Sequence, residues 1–528
     1  MQTVLTVEMM RESDARTIAA GTPGRELMLR AGRGVCGAVL ERGGFKPPVG
    51  IVCGSGNNAG DGYVIALLLK EAGTECALIL SGEKFSEDGR YYYEKCLEAQ
   101  IPVIPAGEPI APGTYGTLVD CLLGTGFSGE PRGAVRERIE EINAAGRAGS
   151  RVISVDINSG LNGNTGLSQL CVLSDLTVSI GSFQPGHFLH MAMDCMKEKC
   201  CVDIGIEPAS ADLALIGEED VCRLFPVRAH DSNKGAFGYT ALIGGSLRYS
   251  GAVRLASMAG AAVRSGAGVV KLAVPRCICG PILPQVLEST LFPLDERPDG
   301  FFAFHKDQFE ELLRGVRSAA FGMGIGNTEE TGKALRYLLS EYQGVLIIDA
   351  DGLNSLAEIM QESGRGAAML KDASCRLILT PHLKEFSRLT GCSIPEIRED
   401  STSLAAKFAA ESGAVVLLKG PATICTDGEK TILCDRGCPG MATGGSGDVL
   451  SGILAAVSAA EAARSAASHR EPDLVTAAAC AAWINGAAGE LAQSESSDVS
   501  MSAADTAVCV KKVMTDLLRD PSRRGVLK

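Results

Sequence analysis

The sequence predicts an α/β protein with two three-layer α/β/α domains, residues 1–216 and 217–528. Three observations lead to this prediction. The chain has 528 residues, which is too long for one ordinary domain. It contains 63 glycines and 46% hydrophobic residues, which suits many tight strand-to-helix turns around large cores. Both halves also repeat a pattern of buried strand, glycine-rich loop and helix.

The first half begins with helix-compatible spacing over residues 1–45. A buried strand at 49–53 then leads into a glycine-rich loop at 54–62, a helix at about 63–71 and a strand at 76–80. The same reasoning predicts a helix at 133–147 and strands at 118–123, 151–156, 176–180 and 201–206. The glycine spacing of the first loop does not fit the dinucleotide fingerprint strictly, so this loop alone is a weak signal.

Four polar side chains fall at the carboxyl ends of these strands: Asn58, Asp120, Asp156 and Ser159. Any one of them alone would more often serve as a turn or cap residue. Together they indicate a ligand site, because ligands gather at this edge of a parallel sheet. Asn58, Asp120 and Ser159 offer only oxygen atoms, which suits a hard cation better than a soft metal.

The second half begins after a break near residues 207–217. Strands are predicted at 239–243, 269–274, 345–349, 377–380 and 415–419, with another before Gly322. Three of them end in charged or ionisable groups: Asp349 with Asp351, His382 with Glu385, and Lys419. His382 alone would more often cap a helix, and Lys419 is interpreted as a phosphate partner.

Four glycines crowd the approach to Asp448 in the segment 440–452, which then becomes helical in pattern. Such a loop lets the backbone approach a ligand closely, and the helix N-terminus favours an anion. A carboxylate beside an anion is electrostatically poor unless it takes part in chemistry, so Asp448 is a candidate base. The alternative is a mobile loop with Asp448 as a helix cap. The segment is not a Walker A loop, because Lys-Ser/Thr does not follow the last glycine.

Composition excludes several classes of protein. The net charge of −13 argues against a nucleic-acid surface. The N-terminus lacks a long apolar run, and no uninterrupted apolar stretch reaches the length of a membrane span, so neither a signal peptide nor a membrane partner is expected. Nineteen scattered cysteines favour a reducing cytoplasm. Buried thiols are favoured over a zinc site among Cys195, Cys200, Cys201, Cys277 and Cys279.

The second half resembles the ADP- or ATP-dependent NAD(P)H-hydrate dehydratases, which have a ribokinase-like fold. The motifs that carry this resemblance are Asn233-Lys-Gly235 with Gly238, Ile243-Gly-Gly-Ser246, Arg264-Ser-Gly-Ala-Gly268, Gly322-Met-Gly-Ile-Gly326, Asp349-Ala-Asp-Gly-Leu-Asn354, Thr380-Pro-His382 with Glu385, Lys419-Gly420, and the segment from Gly440 to Asp448.

The first half resembles the NAD(P)H-hydrate epimerases, which are Rossmann-like. Its matching motifs are Gly56-Asn-Asn-Ala-Gly-Asp-Gly62, Asp120 with Gly124-Thr-Gly-Phe-Ser-Gly129, and Asp156-Ile-Asn-Ser-Gly160. The order of the two halves is similar to that of the bacterial fused repair enzymes, and the resemblance covers nearly the whole chain.

The resemblance implies that the first domain interconverts the R and S hydrates of NADH and NADPH, and that the second uses ADP to dehydrate the S form, with release of AMP and phosphate. It implies ADP as phosphoryl donor, with Mg²⁺, K⁺ in the epimerase domain, and small-molecule substrates in a homo-oligomer. Asp448 and Asp156 are the implied catalytic residues. The substrate-binding residues implied are Asn57, Asn58, Ala59, Gly60, Asp61, Gly124, Thr125, Gly126, Phe127, Ser128, Gly129, Glu130, Asp156, Ala252, Gly324, His382 and Asp448. The nucleotide-binding residues implied are Lys419, Gly420, Pro421, Ala422, Thr423 and Gly447. The implied potassium ligands are Asn58, Asp120 and Ser159.

The first half departs from the family pattern at Ala59, Asn158 and Gln184, the last of which stands where the family has a lysine. This departure keeps open a first domain that binds a nucleotide without catalysis. A second alternative is a ribokinase-like small-molecule kinase, which would leave the first domain unexplained.

Overall fold

The computed structural model describes residues 1–209, 212–259 and 262–525. The chain divides into two compact units, one of residues 3–213 and one of residues 214–528 together with Met1 and Gln2. Residues 210 and 211 of the predicted boundary segment, and residues 526–528 at the end of the second predicted domain, lie outside the described residues.

The unit of residues 3–213 is built on a seven-stranded parallel sheet, which confirms the predicted α/β class. Strand β1 (Gln2–Thr3) precedes it in the chain. The seven strands are β2 (Val49–Cys53), β3 (Cys76–Leu80), β4 (Val103–Ile104), β5 (Thr117–Cys121), β6 (Arg151–Val155), β7 (Leu176–Ile180) and β8 (Lys199–Val202). Their order in the sheet is β4-β3-β2-β5-β6-β7-β8. The helices are α1 (Val7–Ala19), α2 (Gly24–Glu41), α3 (Asn57–Glu71), α4 (Glu87–Glu98), α5 (Gly133–Arg147) and α6 (Ala192–Cys195).

Helix α3 starts six residues before its predicted start at residue 63, so most of the predicted glycine loop is helical. Gly56 precedes it in an extended conformation. Small residues let the helix pack closely: a Cβ on Gly60 would lie 2.4 Å from Met28 Sδ, and one on Gly62 would lie 2.9 Å from Cys121 Sγ. The glycines that suggested a loop therefore serve helix packing. The last predicted strand, 201–206, is also displaced, because β8 ends before Asp203, whose carboxylate accepts from the amide of Gly205.

The second unit contains an eleven-stranded sheet, which also includes β1. Its other strands are β9 (Leu213–Leu215), β10 (Tyr239–Ile243), β11 (Val269–Pro275), β12 (Thr290–Leu294), β13 (Val316–Phe321), β14 (Val345–Ile348), β15 (Arg376–Leu379), β16 (Val415–Leu418), β17 (Thr423–Thr426) and β18 (Thr431–Cys434). The order is β1-β9-β18-β17-β16-β15-β14-β13-β10-β11-β12. Strands β10 to β16 pair in parallel, whereas β16, β17 and β18 form antiparallel pairs. The sequence reasoning missed β1, β9, β12, β17 and β18 in this sheet and β4 in the first sheet.

The helices of this unit are α7 (Glu218–Leu224), α8 (Ser250–Ala259), α9 (Ala262–Ser265), α10 (Arg276–Ile282), α11 (Lys306–Leu313), α12 (Glu329–Glu341), α13 (Asp351–Ser363), α14 (Leu383–Thr390), α15 (Ile394–Glu399), α16 (Ser401–Ser412), α17 (Ser446–Ala467), α18 (Leu474–Glu495) and α19 (Ala503–Leu517). Helices α17 and α18 are long and apolar enough to cross a membrane by length and composition alone. They are, however, 72% and 83% buried over their most apolar windows, so they serve as core helices of this unit.

Candidate active sites

Asp448 lies in the first turn of α17, at the carboxyl edge of the second sheet. The residue before this helix, Gly445, has φ of +101°, and a Cβ there would lie 2.4 Å from Leu255 Cδ1. Only glycine meets both constraints. Ser446 Oγ is buried and has no hydrogen-bond partner among the described residues. Since first-turn amides also lack intrahelical acceptors, this helix start presents donors suited to an anion.

A buried ion pair lies beside this helix start. Asp349, which follows β14, accepts hydrogen bonds from Lys419 Nζ at 2.9 Å, Thr380 Oγ1 at 2.8 Å and Ser451 Oγ at 2.8 Å. Burial raises the pKa of Asp349, but Lys419 and these hydrogen bonds outweigh it and hold the pKa below its usual value. Burial likewise opposes the charge on Lys419, yet Asp349 and Glu385 raise its pKa above the usual value. Both groups are therefore charged at neutral pH.

The pKa of Asp448 is shifted in the opposite direction from that of Asp349. Burial, followed by the negative charge of Asp349, raises the pKa of Asp448 to about 7, while Lys419 opposes this rise. The absence of a side chain at Gly447 brings the helix start close to the ion pair: a Cβ there would lie 3.6 Å from Lys419 Nζ and 3.8 Å from Asp349 Oδ2. The site thus combines a carboxylate that exchanges its proton near neutral pH with a fixed cation and free amides. A general base and a phosphate site need these components.

His382 caps helix α14, which is the structural role that its sequence position alone favoured. Its Nδ1 accepts from the amides of Lys384 and Glu385 at 3.0 and 3.1 Å, and the Glu385 carboxylate accepts from the His382 amide at 2.8 Å. Burial raises the pKa of Glu385, and Lys419 at 3.9 Å opposes this rise. The capping role leaves the His382 side chain half exposed at the same edge of the sheet as Lys419.

The remaining predicted residues of the second unit surround this centre. Gly324 has φ of +60°, and a Cβ there would lie 2.9 Å from the Cβ of Ala252, so these two predicted substrate contacts are neighbours. Lys419 directly follows β16, and Thr423 begins β17. The residues between them, Gly420, Pro421 and Ala422, form the connecting turn, in which Gly420 and Pro421 are exposed.

The first unit contains a cavity of about 610 Å³ at the carboxyl edge of its sheet. Eight predicted substrate contacts line it: Asn57, Asn58, Asp61, Gly124, Thr125, Gly126, Phe127 and Asp156. Ala59 and Gly60 instead lie on buried positions of α3, where Gly60 packs against Met28. Ser128, Gly129 and Glu130 continue the loop of Phe127 and are exposed.

Asp156 is held in an unusual backbone conformation inside this cavity. Its φ is +67°, which is uncommon for a residue other than glycine and marks functional sites. Its Oδ2 accepts from the amide of Thr125 at 2.9 Å, and its carbonyl oxygen lies 2.7 Å from Nε2 of the buried His187. Because His187 Nδ1 accepts from the Gln184 amide, Nε2 carries the proton and donates to Asp156.

Four aspartates line the cavity, and three of them, Asp14, Asp61 and Asp156, interact electrostatically. Burial raises the pKa of Asp156, and burial together with Asp156 and Asp14 raises the pKa of Asp61 well above its usual value. Burial, then Asp156, raises the pKa of Asp14 to about 6. Burial and mutual repulsion therefore shift the pKa of these carboxyl groups upward, towards the range in which acid–base chemistry operates. The sequence reasoning missed Asp14, which stands alone in an amphipathic helix without a motif, and it named Asp349 and Glu385 only as strand-end acids.

The three predicted cation ligands lie together. Asp120 accepts from Ser159 Oγ at 2.5 Å and from the Ser159 amide at 2.9 Å. Asn58 and Ser159 both contact the backbone of Leu123. Asn58 Nδ2 donates to the Leu123 carbonyl oxygen at 2.8 Å, and the Leu123 amide donates to Ser159 Oγ at 2.9 Å. The Oδ1 of Asn58 is buried without a hydrogen-bond partner among the described residues, so it is an acceptor that a cation would satisfy. Among the described residues, no group of three or more His, Cys, Asp or Glu could hold a metal ion.

Gln184 is fully buried and does not line this cavity. Its Nε2 donates to the carbonyl oxygen of Ser182 at 2.8 Å, and its Oε1 has no partner among the described residues. Gln184 is therefore a buried neutral amide outside the cavity lining. The acid–base groups that the structure places in the cavity are the carboxylates.

Comparisons with known proteins cover both units. A family model described as NAD(P)H-hydrate dehydratase matches residues 240–511, and one described as YjeF-related protein N-terminus matches residues 24–186. The bifunctional NAD(P)H-hydrate repair enzyme Nnr of Hyperthermus butylicus is 34% identical over 93% of this chain and 88% of its own. The enzyme of the same name from Coxiella burnetii is 31% identical over 94% of this chain and 96% of its own. The crystal structure of the Bacillus subtilis ADP/ATP-dependent NAD(P)H-hydrate dehydratase, co-crystallised with ATP/Mg²⁺, is 25% identical over 58% of this chain and 100% of its own, with a TM-score of 0.48.

Proposed function

Because the chain belongs to the bifunctional NAD(P)H-hydrate repair enzymes, we propose that it restores NADH and NADPH from their hydrated forms with the residues described above. The first unit is an epimerase domain and the second an ADP- or ATP-dependent dehydratase domain. The family match over both units argues against the simple kinase alternative, which would leave the first unit without a role.

The observation that carries the dehydratase assignment is Asp448 at the start of α17, with its pKa raised to about 7. In the proposed mechanism Asp448 takes the proton of the hydroxyl group of the S hydrate as this oxygen attacks the terminal phosphorus of the nucleotide. The bond to the leaving nucleotide breaks, and amides of the α17 start, including that of Gly447, hold the transferring phosphoryl group. The phosphorylated hydrate then loses phosphate by cleavage of its C6–O bond and a proton from the adjacent C5, which goes to the departing phosphate or to water, and this restores the ring double bond of the dinucleotide.

Lys419 and the turn from Gly420 to Thr423 would hold the donor nucleotide, for which we propose ADP with Mg²⁺. Lys419 is fixed by Asp349, so its charge is already positioned before the nucleotide binds. The hydrate would lie against Gly324, Ala252 and His382, on the other side of Asp448. Mg²⁺, when bound with the nucleotide, would neutralise phosphate charge.

In the epimerase domain we propose Asp156 as the acid–base residue, with Asn57, Asp61 and the Gly124–Phe127 loop contacting the dinucleotide. Potassium would be held by Asn58, Asp120 and Ser159. The unpartnered Asn58 Oδ1 supports this site, because a buried amide oxygen without a donor is costly. The ion would fix the loop that carries Thr125, which donates to Asp156.

We also propose a cytoplasmic location. The nineteen cysteines support it, because they are scattered along a long chain and not grouped as a disulfide framework. Persistence of such thiols is expected in a reducing compartment.

The test is recovery of NADPH from a mixture of its R and S hydrates, with ADP, ATP or neither nucleotide, followed by absorbance after subtraction of spontaneous epimerisation. Complete recovery with a nucleotide supports both activities. Recovery that stops at the S fraction would mean that the first domain binds without catalysis, and no recovery with either nucleotide would overturn the dehydratase assignment.

A further inference from the structure

A second cavity lies at the opposite edge of the second unit's sheet from Asp448. Its volume is about 920 Å³. Its lining includes residues 235–237, just before β10, Gly266, just before β11, and Arg317, the second residue of β13. These three strands run parallel, so the cavity is at their amino ends, whereas the catalytic loop is at the carboxyl edge.

Helix α17 spans the distance between the two places. Asp448 is its third residue, while Ala460, Ala463 and Ala467 line the cavity 12 to 19 positions later. At about 1.5 Å of rise per residue, this separation is roughly 18–28 Å along the helix. The cavity is therefore distinct from the catalytic centre.

Positive charge is concentrated around this cavity. Five cationic side chains of its lining form no ion pair with a carboxylate among the described residues. They are Arg228, Arg264, Arg317, Lys511 and Arg524. The one carboxylate of the lining, on Glu288, is exposed. This concentration stands out in a chain whose net charge is −13.

The guanidinium groups are oriented by backbone oxygens. Arg524 donates to the carbonyl oxygens of Phe225 and Pro226 at 2.9 and 2.8 Å, and Arg228 donates to that of Gly266 at 2.9 Å. Burial, followed by the positive charge of Arg524, lowers the pKa of Arg228. Like charges are thus held near one another, which costs free energy that a bound anion would recover.

The walls between these cations are apolar. Phe225, Phe237, Met514 and Leu518 line the cavity together with the alanines of α17. The guanidinium carbon of Arg228 lies 3.8 Å from the centre of the Phe237 ring, which forms a flat platform. Such a combination of apolar walls and a few charged groups is typical of small-molecule sites.

We propose that this cavity binds an organic phosphate with at least two negative charges and an apolar or aromatic body. Arginine forks match phosphate oxygens in a bidentate manner, and five cations without carboxylate partners call for more than one negative charge. A free inorganic anion has no apolar part that could pack against the apolar walls. Gly235 and Arg264 belong to two sequence motifs for which the catalytic proposal has no role, and both line this cavity.

The ligand chemistry could come from a nucleotide or from an alkyl phosphate, so the experiment uses both. Hydrogen–deuterium exchange of the full chain is measured with NADP⁺, hexyl phosphate or inorganic pyrophosphate. The informative peptides cover residues 226–237, 460–468 and 511–518. Peptides over residues 54–61 and 440–452 report on the two catalytic sites, where NADP⁺ is also expected to bind.

The test variant carries Arg317→Glu and Lys511→Glu together. The control variant is Lys407→Glu, which changes an exposed lysine of α16 outside the cavity. Neither altered cavity residue belongs to the catalytic machinery, so dehydratase activity without probe should stay unchanged and report correct folding. We expect NADP⁺ or hexyl phosphate to protect the cavity peptides from exchange. The double charge reversal should raise the apparent Kd of this protection about tenfold or more, and the control substitution should leave it unchanged.

Protection by NADP⁺ would identify the nucleotide source, and protection by hexyl phosphate alone would identify the alkyl source. Protection by pyrophosphate equal to that by the organic probes would overturn the role of the apolar walls. Protection confined to the catalytic peptides, or unchanged by the double reversal, would overturn the site.

Discussion

Asp448→Asn tests the central chemical inference most directly. With a pKa of about 7, Asp448 is ionised in about a tenth of molecules at pH 6 and in about nine-tenths at pH 8. If the ionised carboxylate is the base, kcat/KM for the S hydrate should rise about tenfold over this range. The asparagine variant keeps the size and shape of the side chain but cannot take the proton. We expect it to lose about 10²–10⁴-fold in kcat/KM and to lose this pH dependence.

The same substitution has a consequence for stability. The folded-state pKa of Asp448 is raised above its unfolded value of 3.8, so folding favours the protonated form. Its contribution is fully present below about pH 4 and is lost as the pH rises through about 7. This rise corresponds to about 4 kcal/mol at most, which solvent screening at a partly exposed site reduces to about 2 kcal/mol. The variant should therefore be more stable than the native chain at pH 8 and similar at pH 4.

The assay is a set of initial rates with pure S hydrate at fixed nucleotide, from pH 5.5 to 8.5, beside thermal unfolding at the same values. Glu411→Gln is the control, since it removes the charge of an exposed carboxylate near the end of α16, before the amino end of β16, whereas Lys419 follows the carboxyl end of that strand. A flat native profile, or an acid limb that persists in Asp448→Asn, would refute the assignment of the base.

Three further predictions concern the surrounding residues. Asp349→Asn should shift the acid limb of the dehydratase pH profile to lower pH, because Asp448 loses a neighbouring negative charge. It should also raise the KM for the nucleotide, because Lys419 loses its buried partner. An unchanged acid limb would contradict the coupling between Asp349 and Asp448. Asp156→Ala should reduce epimerisation to the spontaneous rate while S-hydrate dehydration persists, measured as recovery from mixed and pure hydrates; loss of both activities in a folded variant would refute independent sites. Asn58→Leu should abolish the increase in epimerisation that KCl gives over choline chloride at equal ionic strength, and a retained increase would exclude this potassium site.

Much of the fold was readable from the sequence, because buried parallel strands are continuous apolar runs. The strands at 49–53, 76–80, 176–180 and 239–243 and the helix at 133–147 occur with the predicted bounds. The prediction was wrong where glycine had two interpretations. The segment 57–62 was predicted as a loop, yet it forms the first turns of α3, because its glycines allow close contact with Met28 and Cys121. Short strands such as β17 and β18 were missed, since their antiparallel pairing depends on neighbours that local patterns do not specify.

The sequence by itself determined which residue types stand at strand ends and helix starts, and therefore that Asp448, Lys419, Asp156 and Asn58 were candidates. Motif spacing does this because a strand followed by a glycine turn places the next residues at a known edge of the sheet.

Only the tertiary structure decided the charge state of these residues and their partners. The pKa of Asp448 depends on burial and on Asp349, about one hundred positions away, and the backbone strain at Asp156 depends on contacts with Thr125 and His187. Likewise, no linear pattern brings Arg228, Arg317 and Arg524 around one cavity. Electrostatic free energy depends on distance and solvent exposure, which arise only when segments remote in sequence pack together.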